Sequence, residues 1–158
     1  MRKFQVKGNK DFVCTMYLNF FVRENELHMK VQMRSNDVFY GLTYDAPIFS
    51  IVHQHMRLWL LETYPDLKLG VYYHCADNIH YYERHFALVD NILNTENKET
   101  QYAMRIENPL FNIKNGEMIK TDECIEMINN IDIAVENKSN QNDYRIILSK
   151  YLNIKEIE

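Results

Sequence analysis

Cys14, the dipeptide Arg34-Ser35 and the spaced pair His80 and Tyr82 are the side chains whose types could do chemistry together. A cysteine thiolate is intrinsically very nucleophilic, provided that something cationic stabilises it. Cys14 opens a run rich in aromatic and β-branched residues, and Arg34 closes the next apolar run. If these runs are paired strands, the guanidinium comes near the thiol. The alternative for Cys14 is an inert core filler, since buried cysteines on strands behave as small hydrophobes. His80 and Tyr82 are two apart, so on an extended segment both point to one side. Asp37 reads as a turn carboxylate bonding its own backbone, Asp45 as a helix N-cap and Gly41 as a point of tight backbone geometry. His53 and His55 are two apart on a predicted helix and face different ways. With His74 and His85 elsewhere, no metal site is expected.

The elements that must position these groups follow from hydrophobic periodicity. Phe12 to Val22 predicts a strand, and from Leu27 to Met33 apolar Leu27, Met29, Val31 and Met33 alternate with His28, Lys30 and Gln32. Arg23-Glu24-Asn25-Glu26 is a polar turn, so the two strands form an antiparallel hairpin. Past Gly41, Asp45 stands where an N-cap would and Pro47 suits a first turn. Ile48, Phe49, Ile51, Val52, Met56, Trp59 and Leu60 then recur at helical spacing until Pro65. Leu67 to Cys75 reads as a strand, and Tyr82 to Leu93 as a second helix with Phe86, Val89 and Leu93 inward. Beyond Asn94 the pattern predicts a strand near Tyr102 to Ile106, a turn at Asn115-Gly116, a helix capped by Thr121 and running to about Val135, and a last one from Asp143 to Leu152. The fold class is α+β: an antiparallel or mixed sheet with a long helix packed on it.

The chain has 158 residues, 46% of them apolar, which suffices for a packed core and excludes collagen-like, coiled-coil and disordered classes. No apolar run approaches the roughly 20 residues of a membrane span, and no secretory signal is visible, so a cytoplasmic protein is expected. Three cysteines, Cys14, Cys75 and Cys124, are too widely spaced for a zinc ribbon or redox pair. Residues 1–60 carry a charge balance of +3 and the remainder −7, giving −4 overall. That balance argues against duplex nucleic acid and leaves a small anion as a ligand of the N-terminal part.

Three motifs in order, Asp11-Phe12-Val13-Cys14-Thr15, Met33-Arg34-Ser35-Asn36-Asp37-Val38 and Arg84-His85-Phe86-Ala87-Leu88-Val89-Asp90, resemble the thymidylate synthase family, from about Asp11 to Leu93. Within it the likeness is greater to the branch that hydroxymethylates deoxycytidylate. The resemblance implies a pyrimidine C5 one-carbon transferase of nucleotide biosynthesis. Cys14 would add to C6 of a pyrimidine deoxynucleotide monophosphate, and 5,10-methylenetetrahydrofolate would be the cofactor, without a metal. It makes Arg34 and Ser35 phosphate ligands, His80 and Tyr82 holders of the sugar 3′-hydroxyl, and Asn19 a counterpart of a substrate-binding glutamine. Asp37 would contact the folate ring, and Gly41 would let the base lie close. Where deoxyuridylate-specific synthases have asparagine, this chain has Asp45. A carboxylate can accept from the 4-amino group of cytosine, which points to deoxycytidylate.

The resemblance also implies a division into a family-like region, 1–95, and a family-unlike region, 96–158. Family members carry over a hundred residues before the matching cysteine, including further arginines, a catalytic glutamate and a tryptophan beside the folate. Only 13 residues precede Cys14 here. Activity is therefore expected to need a second chain, in a homodimer or a complex with a complementing partner. The alternative is a catalytically inactive nucleotide-binding or scaffold subunit. The glycine pair expected before His80 is Asp77-Asn78, whose side chains would crowd the site.

Overall fold

The computed structural model describes residues 13–96, 102–115, 117–152 and 154–156. It divides into two compact units, one comprising residues 1–53 and 66–96, the other 54–65 and 97–158. Asp11, Phe12 and Gly116, which belong to expected motifs, lie outside the described residues.

In the first unit, β1 (Thr15–Arg23) and β2 (Glu26–Met33) form the expected antiparallel hairpin. Glu24 and Asn25 connect them with φ of 50° and 62°, the positive values a two-residue hairpin turn requires. β2 also pairs in parallel with β4 (Lys68–Ala76), giving a mixed sheet of order β1-β2-β4. A parallel pair needs a crossover, and α1 (Thr43–Leu60) lies in that connection. The alternation read from the sequence is realised: Leu27, Met29, Val31 and Met33 are all at most 2% exposed. Phe20, Tyr72 and Ala76 of the flanking strands, together with Phe49 and Val52 of α1, pack against this row. Each such burial contributes about 1.5–3 kcal/mol.

Two short parallel strands, β3 (Asn36–Asp37) and β5 (Ile79–His80), sit beyond the ends of β2 and β4 and bring two candidate segments side by side. Between β3 and α1 the chain makes a wide π-type turn, Val38–Leu42, capped by Asp37. The helix therefore starts two residues before Asp45, which lies in its first turn and is not the N-cap. After β5, one 3₁₀ turn (Glu83–His85) leads into α2 (Phe86–Asn94). The expectation that Phe86 and Leu93 point inward is not met: they are 53% and 77% exposed, and Val89 is only partly buried. The Tyr81 ring meets Phe86 edge to face at 5.7 Å, and the apolar stripe of α2 is otherwise largely exposed.

In the second unit, β6 (Tyr102–Met104) pairs with β9 (Ile154–Glu156), and β7 (Phe111–Lys114) with β8 (Glu117–Lys120), both antiparallel. α3 (Asp122–Glu136) is capped as expected by Thr121, whose hydroxyl accepts from the Cys124 N–H, and α4 (Gln141–Leu152) follows. The end of α1 from Gln54 onward belongs to this unit and bonds within it. Gln54 Oε1 accepts from the Ile106 N–H at 2.8 Å, His55 Nε2 from the Leu110 N–H at 3.3 Å, and Trp59 Nε1 donates to the Phe111 carbonyl at 2.9 Å. No helix among the described residues is long and apolar enough to cross a membrane.

Candidate active site

The ends of β2, β3 and β5 and the start of α1 enclose a cleft of about 430 Å³, within the roughly 300–1,000 Å³ of small-molecule sites. Cys14 lies on its wall, just before β1, and also touches the buried row of β2. The hairpin register holds it beside Arg34, whose backbone N–H donates to the Cys14 carbonyl at 2.9 Å. Arg34 and Ser35 line the same cleft at the point where β2 gives way to β3. Ser35 Oγ is 3.4 Å from His80 Nδ1, and the His80 and Tyr82 rings meet edge to face at 5.3 Å, so the two-residue spacing does place them together.

Asp37, Gly41 and Asp45 complete the wall. Asp37 Oδ1 accepts from the Phe39 N–H at 2.7 Å and the Tyr40 N–H at 3.0 Å, and these bonds, chiefly that from Tyr40, hold its carboxyl below the usual range. The turn-capping reading of Asp37 is thus realised, while its other oxygen takes neither bond. Gly41 is needed for a reason the sequence did not suggest. A Cβ there would overlap Asn36 Oδ1, so glycine makes room for a neighbouring side chain.

Asn19 stands apart: it is exposed on β1 opposite Lys30 and does not line the cleft. Asp77 and Asn78 do not crowd the cleft either. Asp77 Oδ1 accepts from Gln32 Nε2 at 2.7 Å, and neither residue belongs to the lining.

Three lining residues, Asn36, Tyr40 and Arg84, went unassigned in the sequence. Asn36 is 3% exposed, and its Nδ2 reaches His74 Nε2 and Asp45 Oδ2. The Arg84 guanidinium stacks over Tyr82 at 4.8 Å and Tyr40 at 5.6 Å, adding a second cation at the cleft. For Asn36 and Arg84 the available signal was their position within the quoted motifs. Among the described residues no cluster of His, Cys, Asp or Glu could hold a metal. His53 and His55 are buried and serve structure, His53 Nε2–H donating to the Leu27 carbonyl at 2.7 Å.

Comparison with known proteins gives a consistent result. The family model described as thymidylate synthase matches residues 9–141, well past the Leu93 limit read from the motifs and into the segment read as family-unlike. A deoxycytidylate 5-hydroxymethyltransferase of Enterobacteria phage T2 is 32% identical over 90 residues, covering 56% of this chain and 37% of that protein. A deoxyuridylate hydroxymethyltransferase of Bacillus phage SP01 is 35% identical over 75 residues, covering 46% of this chain and 18% of that one. The chain thus spans well under half the length of the curated relatives it matches. Among solved structures, thermostable thymidylate synthase A from Bacillus subtilis superposes with a TM-score of 0.49 at 22% identity, covering 60% of this chain and 33% of that one.

Proposed function

This chain belongs to the thymidylate synthase family, and we propose that it forms the pyrimidine-binding part of a C5 one-carbon transferase acting on deoxycytidylate, completed by a second chain. The observation that carries this reading is the convergence of Cys14, Arg34, Ser35, Asp45, His80 and Tyr82 on one cleft. Arg34 offers a guanidinium fork to two phosphate oxygens, and Ser35 a hydroxyl to a third. His80 and Tyr82 take the sugar 3′-hydroxyl, and Asp45 accepts from the 4-amino group. The Cys14 sulfur then forms a bond to C6, the C5–C6 π pair shifts toward C5, and C5 bonds the one-carbon unit; C5 then gives up its proton and the C6–S bond breaks, its pair returning to the sulfur as the C5–C6 double bond re-forms.

Asp37 fits the folate ring: its carboxylate is stabilised by backbone N–H groups through Oδ1, which leaves Oδ2 to accept from ring N–H donors. When bound, 5,10-methylenetetrahydrofolate supplies the one-carbon unit. Exposed Tyr17 and Tyr73, with partly buried Phe21, lie on the sheet face away from α1, and Phe21 stacks on both His28 and Tyr73. We assign that face to a homodimer or to the complementing chain.

One feature favours a second reading, a nucleotide-binding or scaffold subunit. The carboxylates lining the cleft are Asp37, engaged by its own turn, and Asp45, bonded to Asn36, so neither is placed as a general base for the C5 proton. Calorimetry with deoxycytidylate, deoxyuridylate and deoxycytidine tests nucleotide binding, common to both readings. Deoxycytidylate is expected to bind best, and no binding of any of the three contradicts both.

A further inference from the structure

We infer that Asn36 and His74 form a positioning pair that fixes how Asp45 meets the base, making both of them determinants of base choice. The inference rests on the reading of Asp45 as the base-contacting residue. Asn36 sits on β3 and His74 on β4, so the sheet brings together side chains 38 positions apart in sequence. Asn36 Nδ2 lies 2.8 Å from His74 Nε2 and 3.3 Å from Asp45 Oδ2, so its two hydrogens have two acceptors. Nε2 must then be bare, and a neutral imidazole carries its hydrogen on Nδ1, which lies 2.5 Å from the Tyr72 hydroxyl. That phenol is pushed up to about 12, first by burial and then by Asp45 and Cys75, so it stays protonated and accepts from Nδ1–H.

The opposite amide orientation is disfavoured. It would set Asn36 Oδ1 3.3 Å from a carboxylate oxygen, acceptor on acceptor. The present orientation carries its own cost, because Asn36 Oδ1 is buried against Gly41 without a hydrogen-bond partner. A buried acceptor left unsatisfied indicates that the other end of the amide decides the orientation. The chain Tyr72–His74–Asn36 thereby occupies Asp45 Oδ2 and leaves Oδ1 to accept from the base. Cytosine offers a donor there through its 4-amino group, whereas uracil presents a carbonyl oxygen at C4. A carboxylate released from Asn36 can rotate to accept the N3–H of uracil instead.

The test measures affinities of deoxycytidylate, deoxyuridylate and 2-deoxyribose 5-phosphate for the unmodified chain, His74→Phe and His74→Gln. His74→Phe should lower the preference for deoxycytidylate by about tenfold while leaving 2-deoxyribose 5-phosphate binding unchanged. His74→Gln, which can present an amide oxygen where Nε2 now accepts, should retain the preference. A preference that survives His74→Phe overturns the positioning role and leaves the reading of Asp45 intact. An unmodified chain that binds the sugar phosphate but not either base selectively overturns both. Imidazole ¹⁵N spectra of the unmodified chain give a check that does not depend on variant folding. His74 should carry its hydrogen on Nδ1, and a hydrogen on Nε2 overturns the proposal.

Discussion

Ser35 Oγ and His80 Nδ1 approach to 3.4 Å beside the pairing of β3 with β5, so the residue assigned to phosphate and the residue assigned to the sugar stand side by side. Two strands of two residues each would not be stable alone. They are held here by the ends of β2 and β4, through the Asn36 N–H to Asn78 carbonyl bond at 2.8 Å and the Asp77 N–H to Met33 carbonyl bond at 3.0 Å.

Arg34→Ala should therefore weaken deoxycytidylate binding by about 1.5–3 kcal/mol, and Ser35→Ala by about 0.5–1.5 kcal/mol. Binding of deoxycytidine, which has no phosphate, should not change in either variant. Titration calorimetry reads all four values. Equal losses for nucleoside and nucleotide would mean that the two residues shape the cleft and do not hold phosphate.

Asp45→Asn should reverse the order of affinity, making deoxyuridylate the better ligand by exchanging an acceptor for an amide that can donate to the C4 carbonyl. The expected change is about 1–3 kcal/mol per unsatisfied group, within calorimetric reach. An unchanged order would remove Asp45 from base recognition.

The stability of the chain should fall as pH drops below about 6.5. Burial lowers the pKa of both His53 and His55 from the ordinary 6.5. Above that value both states are neutral and the full stability is present. Below it the unfolded chain binds protons before the folded chain does, and stability is lost at up to about 1.4 kcal/mol per pH unit per histidine. Urea unfolding from pH 8 to pH 5 measures the slope. His53→Gln, which retains an N–H donor for the Leu27 carbonyl but cannot titrate, should flatten it. An identical slope would contradict the assignment.

Glu24→Gly should raise stability by about 1 kcal/mol, because Glu24 holds a φ of 50° that costs a side-chain-bearing residue and costs glycine little. Thermal unfolding of the variant measures this, and a lowered midpoint would contradict it.

Much of this architecture was legible in the sequence because period two and period 3.6 report burial directly. β2 shows this, with Leu27, Met29, Val31 and Met33 buried and the residues between them only partly so. The helix start was misread because Asp37 caps a π-type turn that places Asp45 inside α1, and an aspartate before an apolar run looks the same in either position. Phe86 and Leu93 were misread because an apolar stripe says that a face favours burial without saying what covers it. The β7–β8 hairpin gave no alternation to read, since nearly all of its residues are exposed. Local motifs singled out Cys14, Arg34, Ser35 and the His80–Tyr82 pair, which line one cleft. Asn36 was missed because its role depends on His74 from a strand far along the chain, a relationship that no short spacing encodes.

The central claim, that Cys14 activates C5 of a pyrimidine nucleotide, is tested most directly by tritium release to water from 5-tritiated deoxycytidylate. The assay uses the chain with methylenetetrahydrofolate, alone and with a complementing chain supplying the rest of the family's length. Release that depends on the chain and disappears in Cys14→Ala is the predicted result. No release under any combination, or release that persists in Cys14→Ala, would contradict it.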